Sequence, residues 1–304
     1  MKILVIGANG MAGHMIQDYL IQHTSYEIWA TSRSEKSTHR RLFLDALDTN
    51  RLSGLLLTLK PDLVINAIGL LNQDAENHPQ WADQINGELP QLLSNYGIAL
   101  GFKLIHISTD CVFSGASGDY RESDTRDASG VYPESKKRGE NIDPRHLLIR
   151  TSIIGPELRK GIGLFHWYMN QRKPVQGFRN VWWNGVTTLE LAKCIHWAIE
   201  HPLSGLVHLC VRKKISKHDL LLTIQDIFPG NRAPIQPNNA PCSNKSLVNT
   251  RCDFPYVPPD YQTMLVNLRE WMELAPPSRY AQYDWVRTSP SHPSIPTPKK
   301  KLDP

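Results

Sequence analysis

The segment "KILVIGANGMAG" runs from an apolar, strand-like stretch to Gly7, through Gly10 and Gly13, and straight into the helical pattern "MAGHMIQDYLIQH". No other stretch narrows the fold so far. A strand that stops at glycine and turns into a helix begins a βαβ unit. Glycine is needed there for a tight turn, for close approach of backbone to a pyrophosphate, and for packing of the helix on the strand. A nucleotide phosphate therefore has a seat at Gly7, Gly10, Met11, Ala12 and Gly13; taken alone, the triplet could also be a mere turn.

Further short apolar runs follow, "YEIWATS", "RRLFLDAL", "PDLVINAIG", "FKLIHIST" and "HLLIRTS", with the β-branched content of buried strands. Helical stretches such as "RLSGLLLTLK" and "WADQINGELPQLLSNYGIAL" separate several of them. Residues 1–155 thus read as an α/β unit with a doubly wound, Rossmann-like parallel sheet, to which a later segment can return. After Ser152 the patterns "GIGLFHWYMNQ", "TTLELAKCIHWAIEH", "SKHDLLLTIQDIF" and "DYQTMLVNLREWMEL" are helical. Residues 156–275 read as a smaller, mostly helical substrate region covering the carboxyl ends of the sheet, where ligands bind in open α/β folds.

Charge and cysteine content remove other classes. The net charge is +5, but Arg279, Arg287 and Lys299 to Lys301 against Asp284 and Asp303 place +3 of it in 276–304, leaving +2 before it. A folded body so nearly neutral carries no nucleic-acid footprint. The 276–304 segment holds seven of the 22 prolines, and its last part reads as a disordered, solvated tail. The five scattered cysteines show no CxxC spacing and the twelve histidines no HExxH pair, so neither a disulfide framework nor a metal site is expected. The first residues resemble neither a signal peptide nor a membrane span, and a soluble cytoplasmic protein is expected.

The second strand ends in "ATSRSE". An acid at this position would bind a ribose 2′-hydroxyl, whereas arginine accepts a 2′-phosphate. Ser32, Arg33 and Ser34 suit a phosphate, with Glu35 further out, so NADP is favoured over NAD. Asp45 and Ala46 follow the third strand, where Asp45 could reach an adenine amine; Asp48 is equally suited to capping a helix. Ala67, Ile68 and Gly69 end the fourth strand, small enough for a cofactor to lie against backbone. The fifth strand ends in Ser108, Thr109 and Asp110, well placed for a ligand and equally common in turns.

In "VYPESKKRGE", Tyr132 and Lys136 lie four apart, one turn above the other on a helix, and can touch one ligand. Alone, the pair is as readily a packed tyrosine and a solvated lysine. The glycine triplet, the strand-end hydroxyl and the Tyr-x-x-x-Lys pair, in this order and spacing, resemble the extended short-chain dehydrogenase/reductase superfamily. Within it, "STDCVFSG", "YPESKKRGE" and "LLIRTSIIG" resemble the dTDP-4-dehydrorhamnose reductases and their relatives acting on sugar nucleotides, over roughly residues 1 to 275.

The resemblance implies roles. Tyr132 would protonate a carbonyl oxygen while hydride arrives from NADPH, Thr109 would hydrogen-bond the same oxygen, and Lys136 would hold the nicotinamide ribose and favour the ionised phenol. A nucleotide sugar is the implied partner, and a homodimer is among the assemblies the family allows. Three departures stand out. Pro133 replaces the usual glycine after the tyrosine, Met11 replaces a polar residue, and Lys137 rivals Lys136. Asp110 is followed by Cys111 rather than the second carboxylate of the sugar-nucleotide dehydratases, which argues against elimination chemistry, and Cys111 reads as a packed residue. An NAD-retaining epimerase and a non-catalytic regulatory subunit are the alternatives on the same scaffold.

The substrate side leaves alternatives open. Trp182, Trp183 and Asn184, before a helix that Thr187 or Thr188 could cap, suit either core packing or a pocket wall. Asn72 and Gln73 form a polar loop or reach the sugar. Arg150 meets substrate phosphates or a carboxylate.

Overall fold

The computed structural model describes residues 1–33, 37–159, 161–230, 232–276, 278–283 and 285–286. Ser34, Glu35 and the basic tail with Lys299 to Lys301 lie outside the described residues.

Seven strands form the central sheet: β1 (Lys2–Ile6), β2 (Glu27–Ser32), β3 (Arg41–Phe43), β4 (Leu63–Asn66), β5 (Lys103–Thr109), β6 (Leu147–Thr151) and, after three strands outside it, β10 (Gly205–His208). Their order is β10-β6-β5-β4-β1-β2-β3, and every pairing is parallel. The order reverses between β1 and β4, and a cleft opens at such a switch point beyond the strand ends. All six apolar runs read from sequence as strands are present, and the returning segment is β10.

The sheet is buried on both faces, which is why its strands read as continuous apolar runs. Successive side chains of β1 point to opposite faces. Ile3 and Val5 join the larger core with Met15, Ile16 and Leu20 of helix Met11–His23 and with helix Thr188–Glu200, while Leu4 and Ile6 pack on Leu52, Leu56, Leu89 and Leu93.

The stretch read as one helix over 81–100 is composite. Helix Pro79–Ala82 passes into a π-helical segment, Asp83–Glu88, and then into helix Leu89–Leu100. Pro90 supplies no backbone N–H to the ladder, and the wider turn carries Asn86, whose side chain donates to Ser135 Oγ.

The carboxyl-terminal region holds the four expected helices, Leu164–Met169, Thr188–Glu200, Lys217–Ile227 and Tyr261–Leu274. It also holds strands that sequence patterning did not reveal. The short β7 (Ile153–Ile154) pairs with β9 (Val186–Thr187), while β8 (Val175–Trp183) is flanked by β11 (Ile215–Ser216) and β12 (Ile235–Asn244). β12, "IQPNNAPCSN", contains two prolines and little apolar surface; it is an edge strand with a register shift between Asn238 and Cys242, where proline is tolerated.

Candidate active site

The glycine loop follows β1 directly. Gly7 has φ +86°, in the left-handed region that favours glycine, and a Cβ there would sit 3.0 Å from the Ile68 backbone nitrogen. A Cβ on Gly13 would lie 2.2 Å from the Gly7 carbonyl oxygen. Gly7 therefore sets the turn, and Gly13 lets helix Met11–His23 pack on it. Gly10 caps that helix with no side-chain hydrogen bond, and its first turn holds no acidic residue. The leading peptide N–H groups are left for an anion, which the helix dipole also favours.

Across the cleft lie Ala67, Ile68 and Gly69, and the far end is closed by Ser32, Arg33, Asp45 and Ala46. The Ser32 hydroxyl accepts from Asn9 Nδ2 at 2.7 Å, and Arg41 of β3 donates to Asn9 Oδ1 at 3.3 Å and to Gln17 at 2.9 Å. Asn9 and Arg41, absent from the sequence reading, thus brace the β2 end. Arg33 is exposed at the cleft. Asp45 accepts from the Leu47 N–H at 3.1 Å, and Asp48 caps helix Thr49–Leu59 through the Arg51 N–H. The cradle, the uncapped helix end and the terminal arginine fit a dinucleotide that carries an extra phosphate.

Helix Val131–Gly139 starts after Gly130, at φ +111°. Pro133 occupies its first turn, where its missing N–H has no partner to lose, so the departure from glycine leaves the helix intact. Asn86 holds the helix against the loop after β4. Its side chain accepts from Leu70 N–H and donates to Leu70 C=O, both at 2.9 Å, and also donates to Ser135 Oγ at 3.0 Å.

Tyr132 and Lys136 both face the cleft, as does Thr109. Lys136 Nζ donates to the Ile107 carbonyl at 3.0 Å. Lys137 turns away, donating to the Ala128 carbonyl at 2.7 Å and pairing with Glu134 at 2.5 Å. The spacing rule therefore selects Lys136. Burial lowers the Lys136 ammonium to about 8, against the opposing pull of Glu140 and Cys111. The Tyr132 phenol is pushed well above its ordinary value, first by burial and then by Cys111, with a hydrogen bond to Thr109 acting the other way. Burial thus favours the neutral phenol.

Thr109 ends β5 and caps the turn Asp110–Val112, accepting from Cys111 N–H at 3.1 Å and donating to Asp110 Oδ1 at 3.1 Å. Burial raises the Asp110 carboxyl, while Lys217 and Lys245 oppose the shift. Burial and the Asp110 charge push the Cys111 thiol to about 11, so it packs rather than attacks.

Other candidates resolve differently. Ser108 donates to Glu140 at 2.6 Å, and Arg150 pairs with Glu140 rather than with a phosphate. Trp183 and Asn184 are buried, and Asn184 donates to the Val211 and Leu247 carbonyls. Thr187 caps helix Thr188–Glu200. Asn72 lines the cleft, whereas Gln73 bonds Asn77. The cleft, of about 660 Å³, also takes in Glu157 and Lys217, which the sequence reading passed over. For Lys217 a signal existed: it follows the cap Ser216 at a helix start, where cations are disfavoured.

Architecture and site together place the protein in the extended short-chain dehydrogenase/reductase class. The family model for the RmlD substrate binding domain matches residues 1–248, and the chain belongs to that family. It is 31% identical over 157 residues to the dTDP-4-dehydrorhamnose reductase of Aggregatibacter actinomycetemcomitans, covering 50% of this chain and 51% of that protein. It is 28% identical over 140 residues to methionine adenosyltransferase 2 subunit beta of Bos taurus, covering 46% of this chain and 41% of that one. The chain thus spans about half the length, or less, of these curated relatives. A solved dTDP-4-dehydrorhamnose reductase from Bacillus anthracis in complex with NADP has the same fold, with a TM-score of 0.76 at 18% identity over 89% of this chain and 99% of that one. Among the described residues no helix is long and apolar enough to cross a membrane, and no group of three or more His, Cys, Asp or Glu is placed to hold a metal.

Proposed function

We propose that the protein reduces the 4-keto group of a nucleotide-linked 6-deoxy sugar with NADPH, in the manner of a dTDP-4-dehydrorhamnose reductase, in a pathway to surface polysaccharide. The observation that carries this reading is the meeting of Thr109, Tyr132 and Lys136 in the cleft that begins at the glycine loop. The bound nicotinamide supplies the hydride. Helix Met11–His23 and the Gly7 turn would seat the pyrophosphate, Arg33 and Ser32 the 2′-phosphate, and Asp45 with Ala46 the adenine end.

Tyr132, held protonated by burial, gives its proton to the carbonyl oxygen as charge develops there. The Thr109 hydroxyl, turning its single proton from Asp110 Oδ1 to that oxygen, donates a second hydrogen bond and stabilises the same charge. Lys136, one turn along, would steady the phenolate left behind and hold the nicotinamide ribose. NADP is the preferred cofactor and NAD the alternative; a homodimer and a cytoplasmic location belong to the same reading.

The test is NADPH oxidation on addition of dTDP- and UDP-linked 4-keto-6-deoxyhexoses. Turnover that disappears in Tyr132→Phe supports the reductase. Cofactor binding without turnover on any sugar refutes it. The similarity to the methionine adenosyltransferase subunit supports a second reading, a regulatory partner on the same fold, which predicts that Tyr132→Phe leaves function unchanged.

A further inference from the structure

We propose that Lys217 binds the sugar ring of the substrate, donating hydrogen bonds to its hydroxyl oxygens on the side of the cleft away from the cofactor. This rests on the nucleotide-sugar reading above, and it assigns a specificity-determining contact outside the Thr109, Tyr132 and Lys136 set.

Lys217 is the first residue of helix Lys217–Ile227 and lines the cleft together with Thr109, Asp110, Cys111 and Tyr132. The position is unfavourable for a cation. The helix dipole presents its positive end there, and the Ser216 side chain already caps the helix through the Asp219 N–H at 3.0 Å. Structure alone would favour an acid or a neutral residue at this place.

The surroundings hold the ammonium without satisfying it. Its Nζ lies 4.9 Å from the centre of the Trp183 ring, a cation–π contact that leaves the N–H groups unused. Among the described residues it makes no hydrogen bond and no ion pair within salt-bridge distance. Asp110 and Cys111 are the groups whose charge favours its protonation, and burial more than offsets them, lowering Lys217 to about 8. Lys245 acts on the same Asp110 and Cys111. A half-buried ammonium with three free donors, held on an aromatic face in the same cleft as the strand-end threonine, is complementary to sugar oxygens. Asp110, in the same cleft, offers an acceptor for a sugar hydroxyl beside these donors.

The test uses the full chain loaded with oxidised NADP, so that no turnover occurs. Affinity for a dTDP-linked 4-keto-6-deoxyhexose is compared with that for dTDP alone by calorimetry, in wild type, Lys217→Met and Lys217→Arg, with UDP- and GDP-linked pairs run alongside. Methionine keeps the length of the chain over Trp183 and removes the charge. The expected result is a loss of about tenfold or more in sugar-nucleotide affinity in Lys217→Met, partial recovery in Lys217→Arg, and unchanged binding of dTDP and of NADP. The wild-type preference for the sugar nucleotide should also weaken as pH rises above about 8, and this pH dependence should vanish in Lys217→Met.

Affinity in Lys217→Met within twofold of wild type overturns the assignment. So does a wild type that binds no sugar nucleotide of any series more tightly than the free nucleotide. If the variant weakens binding while reduced NADPH is never oxidised by wild type, the lysine contact stands and the reductase reading falls.

Discussion

Arg150 and Glu140 form a two-point ion pair, Nε and Nη2 each 2.8 Å from one carboxylate oxygen, and both side chains are almost wholly buried. Glu140 also accepts from Ser108 at 2.6 Å and from Arg126 at 3.0 Å. Arg150 reaches His208 Nε2 at 3.2 Å, whose Nδ1 faces the carbonyls of Tyr120 and Val248. The end of helix Val131–Gly139 is thus bolted to β5, to β6, and through β10 to the loops that hold Tyr120 and Val248. Burial alone would raise the Glu140 carboxyl; Arg150, Ser108 and Arg126 more than offset it and hold it low.

Glu140→Gln removes the charge and leaves the Arg150 guanidinium buried without a counterion. Breaking one side of such a pair costs about 3–5 kcal/mol. Urea unfolding should show this loss, and the Lys136 ammonium, which Glu140 helps to keep charged, should titrate lower in the pH profile of kcat.

Tyr132→Phe keeps the ring packed against Ala75 and Ala82 and removes only the hydroxyl, the proton donor of the proposed reaction. A drop of roughly 100-fold or more in kcat is expected from the loss of general acid catalysis, with NADPH affinity unchanged by fluorescence titration.

Gly13→Ala puts a methyl group 2.2 Å from the Gly7 carbonyl. Helix and turn must separate, at a cost of about 1–3 kcal/mol. NADPH binding should fall with stability, both readable from thermal melts with and without cofactor.

Arg33→Ala removes the cation at the end of β2. The KM for NADPH should rise about tenfold while that for NADH stays level, because only the former carries the 2′-phosphate. Equal loss for both cofactors would assign Arg33 a structural role.

Acid should unfold the protein through its buried histidines, His14, His106 and His208 foremost. His14, against the Gly10 carbonyl at 2.9 Å, and His208 are each lowered from 6.5 to about 4, chiefly by burial. The unfolded chain binds protons in that window that the folded chain refuses. Stability is therefore lost as pH falls from 6.5 to 4, by up to about 3 kcal/mol for each of these two. His14→Gln should flatten part of the slope in a urea series against pH.

The parallel sheet, the glycine turn and the Tyr132 to Lys136 spacing are legible because each depends on neighbours close in sequence: buried strands are apolar runs, and residues four apart share a helix face. Pro133 could be judged harmless on the same local grounds, since the first turn of a helix spends no N–H there. Where two local readings competed, folding chose. Asp48 caps a helix, Arg150 meets a carboxylate, Trp183 goes to the interior, and Lys136 rather than Lys137 enters the cleft.

The amino-acid sequence by itself determined the doubly wound sheet, its glycine turn and the shared helix face of Tyr132 and Lys136, because hydrophobic periodicity and backbone stereochemistry act over a few residues. Only the tertiary structure decided that the polar β12 is a strand, that Asn86 braces helix Val131–Gly139, that burial raises the Tyr132 phenol, and that Lys217 meets the cleft. Each of these depends on a partner far along the chain, and desolvation, unlike periodicity, is a property of the whole packed molecule.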